Sequence, residues 1–284
     1  MFKKATKAQS YLRMTIDGPA GSGKTYTALR FAHALAEGGK IAVIDTERGS
    51  ASKYAGEAPD GVPWEFDVLE LHTFSPTKYI EGIQAAMRAG YKVLVIDSLS
   101  HAWSGTGGVL DMKDRVGSNS FDAWRQVTPL HNKLVDTILQ APLHVITTMR
   151  SKMDYAINTN EQGKITGIQK VGMAPIQRSG MEYEFDIVVD MDWAHIATVS
   201  KSRCSAMADA TGERPGPEFI APLVVWLKDG VLPAPSFAPS KAIPTLDDLL
   251  AQYGAEAIMA AAGGVIPSTP EEITAVVEAL ENGS

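Results

Sequence analysis

Short apolar runs alternate, through the first half of the chain, with stretches whose apolar residues recur every three or four positions. Leu12-Arg13-Met14-Thr15-Ile16 alternates apolar and polar residues as a half-buried strand does. Ala28, Phe31, Ala32 and Leu35 then follow helical spacing, with Gly38 or Gly39 as the stop. Lys40-Ile41-Ala42-Val43-Ile44-Asp45 and Lys92-Val93-Leu94-Val95-Ile96-Asp97 read as buried strands, and Phe66-Asp67-Val68-Leu69-Glu70-Leu71 as a half-buried one. Between them Ser75-Pro76 offers an N-cap and a first-turn proline to a helix carrying Ile80, Ile83 and Met87 on one face and ending at Gly90. Residues 121–140 read as a helix split or kinked by Pro129, and His144-Val145-Ile146-Thr147-Thr148 as the next strand. This alternation predicts an α/β fold, a mostly parallel sheet with helices on both faces.

The pattern changes after residue 182. Closely spaced strands at 184–191 and 194–200 predict an antiparallel extension, followed by a short helix at 219–228 closed by Gly230. Residues 231–244 hold four prolines and read as an extended linker. Helical segments follow near 245–253, 254–262 and 270–281, the last opened by the capping-box sequence Thr269-Pro270-Glu271-Glu272. The expected organisation is an N-terminal arm (1–12), a core (13–230), the linker (231–244) and a small C-terminal helical region (245–284), with no internal repeat.

Composition narrows the function. At 284 residues and 45% hydrophobic the chain can bury a full core. No stretch approaches the 18 apolar residues of a membrane span, and the basic N-terminus lacks the apolar segment of a secretion signal, so a cytoplasmic protein is expected. The lone Cys204 excludes a disulfide framework, and six scattered histidines show no metal-ligand spacing. A net charge of −7 argues against a surface that coats DNA generally, leaving nucleic-acid contact to particular loops.

Against that background one motif is specific. Gly18-Pro19-Ala20-Gly21-Ser22-Gly23-Lys24-Thr25 is a complete Walker A loop, G-x-x-x-x-G-K-[ST], between a predicted strand and a predicted helix. The glycines let successive backbone N–H groups close on phosphates, Lys24 meets the β/γ-phosphates and Thr25 supplies a Mg²⁺ ligand. Tyr26, next in the chain, joins the expected nucleotide-binding set. Asp97, at the end of an apolar strand, has the Walker B arrangement and is the second expected metal ligand. No glutamate follows it, so the base that orients the attacking water must come from elsewhere.

Glu47 lies two residues past the end of the strand Ile41–Asp45, on the sheet edge where ligands collect. Here the chain resembles the RecA-like ATPases, whose catalytic glutamate sits in a strand-D-x-E segment, matched by Ile44-Asp45-Thr46-Glu47. The resemblance implies ATP as substrate, Mg²⁺ as cofactor, and an adenine-stacking role for Tyr54, seven residues on; packing on the adjoining helix is the other reading of that tyrosine. It places a first DNA-facing loop at 104–120, with Lys113 and Arg115, and a second at 151–171, with Lys152, Tyr155, Lys164 and Lys170. A solvated polar loop is the other reading of the second. The strand-end position where the family has a γ-phosphate-sensing glutamine is Thr148, a departure, although the following Arg150-x-Lys152 spacing matches.

Lys201-Ser202-Arg203 resembles the basic pair that RecA-like ATPases and hexameric helicases extend into a neighbouring subunit's ATP. Alternation along a strand puts both charges on one face. As trans fingers Lys201 and Arg203 would join Lys24 and Glu47 in catalysis and require a homo-oligomer; otherwise they are an ordinary basic strand end. Phe2-Lys3-Lys4-Ala5 resembles the F-x-x-A element that docks one protomer on the next. From residue 1 to about 230 the match is to short RecA-core ATPases of bacteriophages and prophages, carried by GPAGSGKT, VIDTERGSASKY, Glu184-Phe185-Asp186 and SKSRC. It implies a recombination or annealing ATPase that assembles on single-stranded DNA in a bacterial host cell. A ring motor of helicase type and a nucleotide-gated module that recruits a protein partner through 245–284 are the alternatives.

Overall fold

A computed structural model describes residue 2, residues 4–116, 120–159 and 165–231, and scattered positions between 254 and 279; within 154–171 only the backbone is described. The elements in order are β1 (Arg13–Gly18), α1 (Lys24–Ala36), β2 (Ile41–Asp45), β3 (Asp67–Glu70), α2 (Pro76–Arg88), β4 (Val93–Asp97), α3 (Ser100–Ser104), α4 (Val109–Arg115), α5 (Ser120–Gln140), β5 (His144–Thr159), β6 (Ile165–Pro175), β7 (Ile187–Met191), β8 (Ile196–Ser202), β9 (Thr211–Glu213) and α6 (Pro217–Lys228). The chain divides into two compact units, Met1–Leu232 and Pro233–Ser284. In the second, residues 257–261 are helical and Ile258 and Val276 are buried. Most of the expected linker and tail helices lie outside the described residues.

The first unit is a nine-stranded mixed sheet in the order β3-β2-β4-β5-β1-β7-β8-β9, with β6 paired to β5 alone. From β3 through β7 the sheet is parallel, and β8 and β9 extend it antiparallel. Alternation along the strands feeds two cores. Met14, Ile16, Val43, Val95 and Ile146 pack with Leu29, Phe31 and Leu35 of α1 and Ile220 and Leu223 of α6. Ile44, Leu94, Ile96, Val145 and Met149 pack on the other face with Tyr79, Ile80 and Ile83 of α2 and Leu134 and Ile138 of α5. Parallel strands joined by helices require coverage on both faces. That is why β1, which reads as half-buried, is buried throughout, Arg13 and Thr15 included.

Four expectations about elements are corrected. The helix over 121–140 is not split: α5 runs through Pro129, which is exposed, as is Arg125, whose carbonyl has lost its helical partner to the proline and faces water. The expected loop at 104–120 carries the helix α4, opened at Val109, with Asp111 in its first turn reaching back so that its carboxylate accepts from Gly107 N at 2.6 Å. Within the expected loop at 151–171, residues 151–159 and 165–171 are strand, β5 continuing past the sheet to pair antiparallel with β6. Strand β7 starts at Ile187 rather than 184, because residues 181–184 form a 3₁₀ turn whose carbonyls face the Lys201 ammonium.

Candidate active site

Strands β1, β2, β4 and β5 run in parallel, so their carboxyl ends share one edge of the sheet. The P-loop leaves β1 there with positive φ at Gly18 (158°), Gly21 (80°) and Gly23 (92°). A Cβ on Gly18 would stand 2.4 Å from the Met191 carbonyl oxygen, so only glycine permits β7 to close against the loop. Gly21 has nothing within 4 Å of such an atom, which leaves the mouth of the loop open above the first turn of α1. The Lys24 ammonium donates to the loop's own Gly18 and Pro19 carbonyls at 2.9 and 2.8 Å. Burial lowers its pKa, offset in part by Asp97 and Glu47.

The Thr25 hydroxyl donates to Asp97 Oδ2 at 2.6 Å, and the buried Thr148 hydroxyl donates to Asp97 Oδ1. Burial pushes the Asp97 carboxyl up, and these two hydroxyls hold it back. Thr148 is therefore a buried partner of Asp97, and the exposed residue at the end of that strand is Arg150. Giving its proton to Asp97, Thr25 Oγ1 keeps lone pairs for a hard cation; the oxygen-only donor set of Thr25 and Asp97 suits Mg²⁺. The open glycine cradle and the Lys24 ammonium suit a polyphosphate.

Asp45 presents Glu47. Its two carboxylate oxygens accept from Glu47 N at 2.6 Å and Ala51 N at 2.9 Å, closing a turn in which Arg48 and Gly49 take positive φ. Glu47 is then held by the Arg150 guanidinium, Nε donating to Oε1 at 2.8 Å and Nη2 to Oε2, and by Ser98 Oγ at 3.2 Å. His101, stacked on Phe74, places Nδ1 2.7 Å from Thr46 Oγ1 and 4.0 Å from Glu47 Oε1. Burial would raise the Glu47 carboxyl, but Arg150 and His101 outweigh it and the net shift is downward. At neutral pH Glu47 is an ionised acceptor, the state a water-orienting base needs.

The structure brings together Lys24, Thr25, Asp97, Thr148 and Glu47. Tyr26 and Tyr54 meet edge to face, ring centroids 5.5 Å apart, at the first turn of α1, where Tyr26 also packs on Trp64. Lys201 and Arg203 lie elsewhere. Because β8 is antiparallel to β7, Ser202 sits beside Ile187 and so level with Met14, at the sheet edge away from the P-loop and roughly 13 Å along the strand from Gly18 at ~3.3 Å per strand residue. Lys201 spends its three donors on the Glu182, Tyr183 and Phe185 carbonyls, and Arg203 pairs with Asp186 at 3.2 Å. Neither can reach the P-loop of its own chain.

Sequence reasoning assigned no role to Arg150, Ser98 or His101. The Arg150-x-Lys152 spacing pointed to Arg150 without giving it a partner; its place follows from the register of β5, in which Arg150 pairs with Gly18 and faces the nucleotide edge. In the expected DNA-facing segment 104–120, Arg115 is paired with Asp111 at 2.7 Å and Lys113 with Asp114 at 3.0 Å. In 151–171, Lys152 is exposed, while the side chains of Tyr155 and Lys170 and all of Lys164 lie outside the described residues. Among the described residues no helix is long and apolar enough to cross a membrane.

No curated protein matches the chain. The family model described as "AAA domain" matches residues 10–213, a span that runs from the residues before β1 to the end of β9 and contains every group of the P-loop edge. The chain belongs to this AAA-domain family and is a P-loop ATPase, a nucleotide-hydrolysing enzyme.

Proposed function

We propose that the chain is a RecA-like, Mg²⁺-ATP-dependent ATPase of DNA recombination, repair or replication that oligomerises on single-stranded DNA. The observation that carries this reading is Arg150. It stands where β5 leaves the sheet to become the β5–β6 hairpin, and it grips the carboxylate best placed to act as base. A strand seated on the hairpin can therefore bear on hydrolysis through one residue. Lys24 exchanges the Gly18 and Pro19 carbonyls for phosphate oxygens, Thr25 and Asp97 are the residues that would hold Mg²⁺, and Glu47, released by Arg150, takes a proton from the attacking water. Bound Mg²⁺ supplies neutralisation of charge on the phosphate oxygens. Tyr54, with Tyr26, offers an aromatic wall for adenine.

The cationic pair supports the oligomer. Being beyond reach of their own P-loop, Lys201 and Arg203 serve hydrolysis only across a subunit boundary, where such groups contribute ~10³ to 10⁵ in rate. Charge-assisted bonds to their own carbonyls and to Asp186 are then the resting state. A ring motor would use the same residues, and strand displacement separates it from a recombinase.

The test is the steady-state ATPase rate with and without single-stranded DNA, for the parent and for Lys24→Ala and Arg150→Ala. The parent should be slow alone and stimulated by DNA, Lys24→Ala inactive, and Arg150→Ala raised in basal rate and no longer stimulated. A parent that neither binds nor responds to single-stranded DNA sinks the DNA role; an active Lys24→Ala sinks the site.

A further inference from the structure

The turn between β7 and β8, Asp192-Trp193-Ala194-His195, is built against the P-loop. Met191 ahead of it sets its carbonyl in the space a Gly18 side chain would need. His195 behind it brings Nδ1 to 3.0 Å from the Ser22 carbonyl oxygen, and to 3.3 Å from where a Cβ on Gly23 would stand. A carbonyl only accepts, so Nδ1 carries the ring proton and donates. The turn is braced within itself: Asp192 Oδ1 accepts from Ile196 N at 2.9 Å, the Asp192 carbonyl accepts from His195 N at 3.1 Å, and His195 adopts φ 62°. Arg214 N, donating to the His195 carbonyl at 2.8 Å, ties it to the end of β9.

All this order supports a residue that is largely exposed. Trp193 is 65% exposed and has no ring or cation partner among the described residues. A braced turn usually ends in a small polar residue; an indole held rigidly in water is the signature of a contact yet to be made. Its place identifies the contact. The acids that handle the terminal phosphate, Asp97 and Glu47, stand on β4 and β2, beyond β5 on one side of β1. The β7–β8 turn borders the P-loop on the other side. A nucleotide whose terminal phosphate faces Glu47 sends its base away from those acids.

We propose that Trp193 is the base-stacking face of this nucleotide site, taking the purine ring of a nucleoside triphosphate whose phosphates occupy the P-loop. The proposal rests on the P-loop being the nucleotide site and adds a second aromatic contact, from the opposite flank, to the Tyr26–Tyr54 wall. Stacking acts on the base alone, so it separates ATP from the bare polyphosphate.

The experiment is calorimetric titration, with Mg²⁺, of ATP and of inorganic tripolyphosphate into the full chain and its Trp193→Ala, Trp193→Phe and Tyr54→Ala variants. Trp193→Ala should weaken ATP about ten- to a hundred-fold and leave tripolyphosphate unchanged, with Trp193→Phe recovering most of the loss. Indole emission of the parent should be quenched by ATP and not by tripolyphosphate, the quench vanishing in Trp193→Phe. Unchanged ATP affinity in Trp193→Ala, with or without a loss in Tyr54→Ala, overturns the proposal. So does an equal loss for ATP and tripolyphosphate, which would make the turn a brace for the loop. Failure of the parent to bind either ligand would instead strike the P-loop reading itself.

Discussion

The two ends of β1 use the same chemistry for opposite purposes. At its amino end the Arg13 guanidinium, 6% exposed, donates to the carbonyls of Leu12, Leu139, Ala141 and Leu143, closing the C-terminus of α5. Nearby, His144 Nδ1 accepts from Leu12 N at 3.0 Å. At the carboxyl end Lys24 also donates to carbonyls, but these belong to a loop with an open mouth. Among the described residues Ser22 Oγ and Asp17 Oδ1 are buried there without a partner, and Glu47 is on loan to Arg150. At the first end the bonds are complete and buried or partly buried, so breaking one costs stability. At the second they are exchangeable for ligand oxygens, so breaking one costs rate.

Glu47→Gln tests the catalytic end most sharply. The amide keeps the size and most contacts of the side chain but cannot take a proton, so hydrolysis should fall about 10²- to 10⁴-fold while ATP affinity and Tm hold. A fall in Tm with kcat intact would make the turn at Glu47 a structural feature like the Arg13 end. The converse is Arg13→Met, which preserves length and apolar contact but takes the guanidinium from four carbonyls, of which Leu12 alone keeps Val145 N as a donor. It should lower stability by about 2–4 kcal/mol in denaturant unfolding, with the KM for ATP unchanged in the folded fraction. A changed KM would show that the two ends are coupled through β1.

The difference between the ends also explains what could be read from the chain. The parallel core, the P-loop, Asp97 and the D-x-E turn are local: each follows from consecutive residues, and Asp45 serves Glu47 from two positions away. Arg150 with Glu47, or His195 with Ser22, are pairs set by strand order and register, which no local pattern encodes. The hairpin was missed because the sequence 151–171 is polar and glycine-containing and lacks the sustained apolar alternation by which a strand is read. Arg13 reads as the polar member of an alternating strand; only the helix end beneath it makes it a clamp.

The closed end should also show in pH. Burial, with the Arg13 charge, lowers the His144 pKa from 6.5 to about 4. Between those values the unfolded chain binds a proton that the folded chain refuses, so stability present above pH 6.5 is lost as pH falls toward about 4. The upper limit of that loss is about 3.5 kcal/mol at ~1.4 kcal/mol per unit. Urea titrations from pH 7 to 4.5 should therefore fall less steeply for His144→Gln than for the parent. Equal slopes would mean that water reaches the ring and that this end is less closed than its bonds suggest.

The smallest effect, and the reverse sign, belongs to the catalytic end. Asp17 precedes Gly18, 4% exposed, and its carboxyl is pushed well up by burial and then by the adjacent Asp190, with Glu182 adding to it. The folded chain keeps this proton above the ordinary value of 3.8, where the unfolded chain releases it, so stability here falls as pH rises from about 4 toward the folded pKa. Asp17→Asn removes that cost while keeping a donor toward Asp190, and should raise stability at pH 7 by on the order of 1 kcal/mol, and by less at pH 5. Asp97, also raised by burial, titrates in both proteins and cancels from the difference. A gain independent of pH would assign it to packing; a gain that grows with pH marks a carboxyl kept at the foot of the P-loop at the expense of stability, as expected where structure is held ready for a ligand.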